Sequence, residues 1–237
     1  ISAGSSSRAG GESGIEDTAG IVGHGRRNRP GRRFARQCRP MSAPALPASP
    51  PARAVLVTGA ARRLGRQISL HFAHAGWDVL AHYRHSEDEA RALQAEVERL
   101  GWRCHLLAAD LAQPDAAARL LRQTIDLHGA PPHCIVNNAS IFEADNALLA
   151  SASGLFEHFS TNTATPLLLA GGLAAALAEA GQPSGGAHSV VHVLDQKVFN
   201  LNPDYFSYTV SKLALAQSVA LQAQALAPWL RVCGLSP

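Results

Sequence analysis

Apolar and polar positions follow two different periods along this chain. From about Arg53 onward, short and nearly continuous apolar runs are separated by longer stretches with apolar residues at every third or fourth place. The short runs predict strands over Ala54–Thr58, Asp78–Tyr83, Arg103–Ala108, His133–Asn137, Ser189–Leu194 and Leu230–Leu235. The longer stretches predict helices. The first runs from about Leu64 to Ala75, with Leu64, Ile68, Phe72 and Ala75 near helical spacing, and Gly76 stops it. A second follows Ser86, an expected N-cap, and ends at Gly101. Pro114 and Asp115 open a third that ends near His128-Gly129. Two more cover about Ala152–Phe159 and Thr161–Ala180, Gly181–Gly186 is a loop, and a long Ala/Leu-rich helix takes about Tyr205–Ala227.

Strict alternation with strands apolar almost throughout implies an α/β domain, its parallel sheet covered on both faces. Right-handed crossovers make the doubly wound, Rossmann-like order 3-2-1-4-5-6 the economical one. Ligands of such sheets bind beyond the carboxyl ends of the strands, where Thr58, Tyr83–Ser86, Asp110, Asn137–Phe142 and Asp195 fall. Residues 1–52 show neither period and are rich in Gly, Ser, Arg, Ala and Pro, so a disordered tail is expected there and one domain over 53–237. Met41 is the only methionine and reads as the true start. A transit peptide is the rival reading of this Arg- and Ser-rich segment, with Glu12, Glu16 and Asp17 against it.

Composition narrows the function. The chain of 237 residues is 46% hydrophobic, enough for a sizeable core. Its net charge of +3 comes from the tail, where residues 1–40 carry eight Arg and three acids. The remainder is net negative, so no nucleic-acid partner is expected. Cys38, Cys104, Cys134 and Cys233 show no paired spacing and read as reduced thiols of a cytoplasmic protein. The eleven histidines form no ligand set, and no metal is expected. The longest uncharged run, Phe159 to Ala178, contains Asn162, Thr163, Thr165, Pro166 and a Gly pair, and reads as a helix buried in protein rather than a membrane span.

The candidate chemistry begins at Val55–Ile68, where strand, Gly-rich turn and helix succeed one another. Such a turn brings backbone N–H groups to a pyrophosphate, and Gly59 and Gly65 leave room where a side chain would block it. The spacing is T-G-x-x-x-R-x-G, and by itself it is also compatible with a mere tight connection. Farther on, Tyr208 and Lys212 lie one helical turn apart on one face. The ammonium is expected to lower the phenol's pKa, which suits a general acid that protonates a substrate reduced by hydride.

Taken together, the Gly-rich turn, Asn137-Asn138-Ala139, Asn162 and Tyr208-x-x-x-Lys212 resemble the short-chain dehydrogenase/reductase family over residues 54–237. The resemblance implies that Gly59, Arg63, Leu64 and Gly65 cradle the cofactor phosphates and that Asp110 and Leu111 hold the adenine ring. It implies that Asn138 and Ala139 line the cofactor groove, and that Asn162, Tyr208 and Lys212 form the catalytic relay, with Lys212 also on the nicotinamide ribose. Where the family has a catalytic Ser, this chain has Asp195. A carboxyl can bind the N–H groups of a heterocycle or pass a proton to a ring nitrogen. That exchange, with Thr58–Gly65, His82–Ser86 and Asn137–Phe142, is similar to the pteridine reductases and the dihydromonapterin or dihydrofolate reductases. By that likeness Phe142 would stack on a pterin, and Ser140 would touch cofactor or pterin. Phe142 as ordinary core and Asp195 as a loop cap stay open.

Cofactor choice follows from charge. The end of strand two reads Tyr83-Arg84-His85-Ser86, without the acid that holds an NAD ribose. Arg63 and Arg84 can pair a 2′-phosphate and Ser86 can donate to it, so NADPH is expected. Family members continue beyond Ser236-Pro237 with a covering loop, a helix and a seventh strand, so a C-terminally truncated version of the fold is expected, with Pro237 at the edge of the cofactor site. The Leu/Ala-rich helices at Thr161–Ala180 and Tyr205–Ala227 point to a homotetramer or homodimer. The leading expectation is an NADPH-dependent pterin reductase. A general ketone/aldehyde oxidoreductase and a non-catalytic nucleotide-sensing module are the alternatives.

Overall fold

The computed structural model describes residues 52–181 and 187–237. The tail expected over 1–52, except its last residue, and the loop residues 182–186 lie outside them. Six parallel strands are joined by helices: β1 (Ala54–Val57), α1 (Arg63–His74), β2 (Asp78–Tyr83), α2 (Glu87–Arg99), β3 (Cys104–Ala108), α3 (Ala116–His128), β4 (Cys134–Asn137), α4 (Ala152–Phe159), α5 (Thr165–Glu179), β5 (His188–Val193), α6 (Phe206–Ala225) and β6 (Leu230–Leu235). The sheet order is β3-β2-β1-β4-β5-β6, with every neighbouring pair parallel. This is the doubly wound order expected from right-handed crossovers.

The alternation of side chains along β1 divides the core in two. Ala54 and Leu56 face α3 and α5 and pack with Leu120, Ile135, Leu169, Leu173 and Leu177. Val55 and Val57 face α1 and α2 and pack with Leu70, Ala73, Leu93, Val97 and Val136. Both layers are fully buried at the centre, as a parallel sheet requires. Burying a Leu or Val side chain is worth about 1.5–3 kcal/mol, so these layers supply the main force that holds the strand ends, and hence the site, in register.

The structure departs from the sequence expectation in a few places, each with a physical cause. Thr58 is not part of β1, because its side-chain oxygen accepts the N–H groups of Asn138 and Ala139 and turns the chain. Ser86 occupies the N-cap position of α2, but its hydroxyl caps nothing. Glu87, Asp88 and Glu89 in the first turn complement the helix dipole instead. The two helices expected at 152–180 form one helical run, joined by a π turn over Ser160–Ala164. That run, Ala152–Glu179, is long and apolar enough to cross a membrane. Here α5 lies in the core, with Leu169, Leu173 and Leu177 essentially inaccessible. A short 3₁₀ turn, Gln196–Val198, follows β5 and has no signal in the hydrophobic pattern.

Candidate active site

The backbone of the turn after β1 is fastened by three side chains, Thr58, Asn138 and His82. Asn138 Nδ2 donates to the carbonyls of Thr58 and Gly59 at 3.0 and 3.1 Å, tying the turn to the end of β4. Gly59 has φ +64°, which favours glycine. A Cβ on Gly65 would lie 2.0 Å from the Gly59 carbonyl oxygen, so the close approach of α1 to the turn demands glycine there. His82, on β2, completes the fastening: its Nδ1 accepts the Gly59 N–H at 3.1 Å and its Nε2 faces the Ala109 carbonyl at 3.1 Å. Burial drags the His82 pKa down to about 4, against the raising effects of the Ala109 bond and the Asp110 charge. The ring is therefore neutral at pH 7, with its one proton on Nε2 for Ala109. The first turn of α1 carries no acid, which leaves its N-terminal N–H groups free to face an anion.

Two clefts open from this turn and share Gly59, Ala139 and Ser140. The smaller, about 200 Å³, is lined by His82, Arg84, Asp110 and Leu111. Arg84 forms ion pairs there with Asp110 at 3.3 Å and Glu157 at 3.7 Å. Burial alone would raise the Asp110 pKa, but the Ala112 N–H, Gln113 and the Arg84 charge outweigh it and hold the carboxyl below its usual range. The larger cleft, about 380 Å³, is lined by Arg62, Arg63, Leu64, Phe142, Asp195 and Tyr208.

At the far end of the larger cleft, Tyr208 Oη donates to Asp195 Oδ2 at 2.5 Å. The other Asp195 oxygen accepts the Lys197 N–H at 2.8 Å and caps the 3₁₀ turn. Asp195 thus caps the turn with one oxygen and holds the Tyr208 hydroxyl with the other. Lys212 is buried and donates to the Val193 carbonyl at 2.7 Å, with its Nζ 5.9 Å from the centre of the Tyr208 ring. The expectation that Lys212 lowers the Tyr208 pKa is overturned. Burial raises it, and the hydrogen bond to Asp195 and the charge of that carboxylate raise it further, so the phenol stays protonated. Burial brings Lys212 itself down to about 8, despite the opposing pull of Asp195.

Asn162 sits in the π turn, fully buried. It accepts from Ile141 N and Ser140 Oγ and donates to Ile141 O and Ser211 Oγ. It therefore ties the segment after β4 to α6, and none of these four bonds reaches Tyr208 or Lys212. Phe142 is half exposed and not core. Its ring stacks on Tyr205 at 4.1 Å and meets the Tyr208 ring edge-on at 4.6 Å.

The structure does not gather every expected residue. Arg63 lies in the larger cleft with Asp195 and Tyr208, whereas Arg84 lies in the smaller one, where Asp110 and Glu157 pair with it. Arg62 is paired with Glu89 at 3.4 Å, on the first turn of α2 that Ser86 precedes. Tyr83, His85, Ser86 and the exposed Pro237 line neither cleft. His82, Asp145 and Tyr205 were missed, because their partners are distant in sequence. A positive φ marks Arg63 (47°) and Tyr205 (56°), the only non-glycine residues with that conformation among those described; Arg63 lines the larger cleft, and Tyr205 stacks on Phe142, which lines it.

This geometry matches known proteins. Residues 53–237 match the family model for short chain dehydrogenases, and the chain belongs to that family. It is 36% identical to the FolM alternative dihydrofolate reductase 1 of Brucella suis, solved in complex with NADP. That likeness covers 78% of this chain and 74% of the other, with a TM-score of 0.71. An uncharacterized oxidoreductase of Mycobacterium tuberculosis is 33% identical over 182 residues, 77% of this chain and 67% of that protein. An NADPH-dependent aldehyde reductase 2, chloroplastic, of Arabidopsis thaliana is 29% identical over 202 residues, 78% of this chain and 72% of the relative.

Proposed function

We propose that this chain is an NADPH-dependent oxidoreductase that reduces a dihydropterin-type ring. The observation that carries the substrate reading is the Tyr208–Asp195 bond of 2.5 Å, in a cleft edged by the flat ring of Phe142. The likeness to the NADP-bound FolM reductase supports both the cofactor and the heterocycle.

The residues present fit the dinucleotide. The Gly65 approach admits no side chain, the first turn of α1 carries no acid, and Arg62 and Arg63 stand beside it. In this reading Arg63 faces the pyrophosphate, Leu64 and Ala139 line its path, and Arg84 and Asp110 frame the adenine end. Arg62, Tyr83, His85 and Ser86 belong to the region of the 2′-phosphate. Bound NADPH would supply a hydride from nicotinamide C4 to a carbon of a ring C=N bond. Tyr208 would hold the proton that the ring nitrogen needs, and Asp195 keeps that proton on the phenol until a stronger base arrives. Once the proton leaves, the charge of Lys212 offsets the phenolate. A serine in place of Asp195 could position a carbonyl but could not hold the Tyr208 proton in this way.

A homo-oligomer belongs to the same proposal. An apolar groove of about 200 Å³ between α4 and α6 is lined by Leu155, Phe156, Phe159 and Val210, and Phe156 is 74% exposed. Such a face suits a second copy of the chain. Cys104, Cys134 and Cys233 are unpaired among the described residues, which supports a reducing, cytoplasmic setting.

The second reading is a general carbonyl reductase, favoured by the likeness to an aldehyde reductase. The test is oxidation of NADPH with dihydrobiopterin, dihydromonapterin and dihydrofolate, against a panel of aldehydes and ketones. Turnover of a dihydropterin is expected, and turnover of carbonyls alone would replace the proposal by the second reading.

A further inference from the structure

Behind the aromatic side of the larger cleft stands an acid that the proposed reaction does not use. Asp145 lies in the segment after Phe142, far in sequence from α6, yet the N–H groups of Tyr205, Phe206 and Ser207 at the start of that helix turn toward it. Its carbonyl oxygen accepts from Tyr205 N at 2.9 Å and more weakly from Phe206 N at 3.5 Å. Its carboxylate accepts from Ser207 N at 3.1 and 3.3 Å and from Ser207 Oγ at 2.5 Å. The helix has no N-cap of its own, because the residue at that position is Tyr205, whose side chain cannot cap. Burial alone would raise the Asp145 pKa, but the Ser207 hydrogen bonds and the nearby His158 outweigh it, so the group stays ionised.

The left-handed conformation of Tyr205 explains why this matters. A bulky residue at φ 56° is strained and persists only where its surroundings over-determine it. Here the Asp145 bonds do so. They aim the Tyr205 ring at Phe142, parallel within 8° and 4.1 Å away, and so leave no room for a third ring between the two. Phe142 in turn meets Tyr208, one helical turn beyond Tyr205, nearly at right angles. A single residue, through its carboxylate on Ser207 and its carbonyl oxygen on Tyr205, therefore joins the two segments that form the substrate side of the cleft.

We propose that Asp145 is a positioning residue: by capping α6 from the Phe142 segment, it seats Tyr205 on Phe142 and sets the aromatic wall against which the reduced ring lies. The proposal rests on Phe142 being a substrate-facing residue, as in the reading above. Asp145 acts through Phe142 and Tyr205 and touches no reacting atom.

The test uses Asp145→Ala, Asp145→Asn and Ser207→Ala in the full chain. The first readout needs no turnover. The chain has three tyrosines, so the ring signals of ¹³C-labelled Tyr205 can be assigned by NMR. Stacking on Phe142 shifts them, and Phe142→Ala calibrates the loss. Asp145→Ala is expected to lose this shift, Asp145→Asn to retain most of it, and Ser207→Ala to move it partway. The second readout is kinetic, with dihydrobiopterin and, as a carbonyl probe, benzaldehyde. Asp145→Ala is expected to raise KM for the substrate about tenfold while kcat and the NADPH Kd change less than threefold. Asp145→Asn should recover most of the KM, and adding Phe142→Ala to Asp145→Ala should raise it no further. A Tyr205 shift or a substrate KM that Asp145→Ala leaves unchanged would overturn the proposal. If Asp145→Ala does not fold, an unmoved signal in Ser207→Ala does the same. Benzaldehyde turnover without dihydrobiopterin turnover would defeat the pterin reading alone, because the Tyr205 signal still reports on Asp145.

Discussion

The two ends of the groove are built by different means. At the Gly59 end, the groups that shape the site are backbone N–H and C=O groups and glycines with no side chain, fastened by Thr58, Asn138 and His82. At the Tyr208 end, shape and charge come from side chains carried by three separate segments: Phe142 after β4, Asp195 after β5, and Tyr205 and Tyr208 at the start of α6. The first end is shaped by backbone and glycine geometry, fit for a ligand common to many enzymes. The second holds a phenol driven up in pKa beside a lysine driven down, in a partly buried space where such shifts are large. Substitutions should therefore separate binding from chemistry according to the end they touch.

The largest separation is expected for Tyr208→Phe. Removing the hydroxyl takes away the proposed proton donor and should lower turnover on the order of 10²–10⁴-fold, with NADPH binding kept. Pre-steady-state mixing and fluorescence titration would measure both. Full turnover in the variant would place the acid elsewhere.

At the other end, Gly65→Ala forces a Cβ against the Gly59 carbonyl. Relief by backbone shift should cost about 1–3 kcal/mol, read as weaker NADPH binding and a lower denaturation midpoint together. An unchanged Kd would show that the turn does not form the phosphate seat.

The His82 fastening makes the first end sensitive to acid. Its folded pKa of about 4 lies below the ordinary 6.5, so the unfolded chain binds more protons between these values. Stability from this group is complete above about pH 7 and is lost as pH falls toward 4, by an amount on the order of 3 kcal/mol. His105, His133, His188 and His192, all lowered chiefly by burial, slope the same way. Denaturant midpoints from pH 7.5 to 4.5 should fall more steeply for the wild type than for His82→Gln. Equal slopes would remove His82 from the account of the turn.

The smallest effect concerns the arginines. Arg62→Ala should weaken NADPH more than NADH, whereas Arg63→Ala should weaken both alike, each by up to about 1 kcal/mol for a solvent-exposed charge contact. Arg63 lines the larger cleft beside the Gly-rich turn, where the proposal puts the pyrophosphate that both cofactors share. Calorimetry with the two cofactors distinguishes the cases, and a selective loss in Arg63→Ala would restore it as the 2′-phosphate reader.

The same contrast explains what the amino-acid sequence reveals. Strands and helices were legible because apolar spacing reports directly on burial, and the parallel order follows from handed crossovers. The Gly59 end was legible because its parts are neighbours in sequence. Asp195, Tyr208 and Lys212 were found through family likeness, but the direction of the Tyr208 shift was not. It depends on which charge stands nearer the phenol, and only the folded chain shows Asp195 at 2.5 Å with Lys212 turned to Val193. Asp145 left no local signal at all, since it caps a helix some sixty residues away. Arg84 looked like a free phosphate reader until its pairs with Asp110 and Glu157 were visible.

The Asp195–Tyr208 pair is the center of the proposed chemistry, and Asp195→Ser tests it most directly. The substitution installs the family's usual residue and removes the carboxylate that holds the phenol's proton. Measured by NADPH oxidation with dihydrobiopterin, turnover should fall on the order of a hundredfold or more, while NADPH affinity stays within about threefold, under ~0.7 kcal/mol. Full dihydropterin turnover in Asp195→Ser would contradict the role given to this pair.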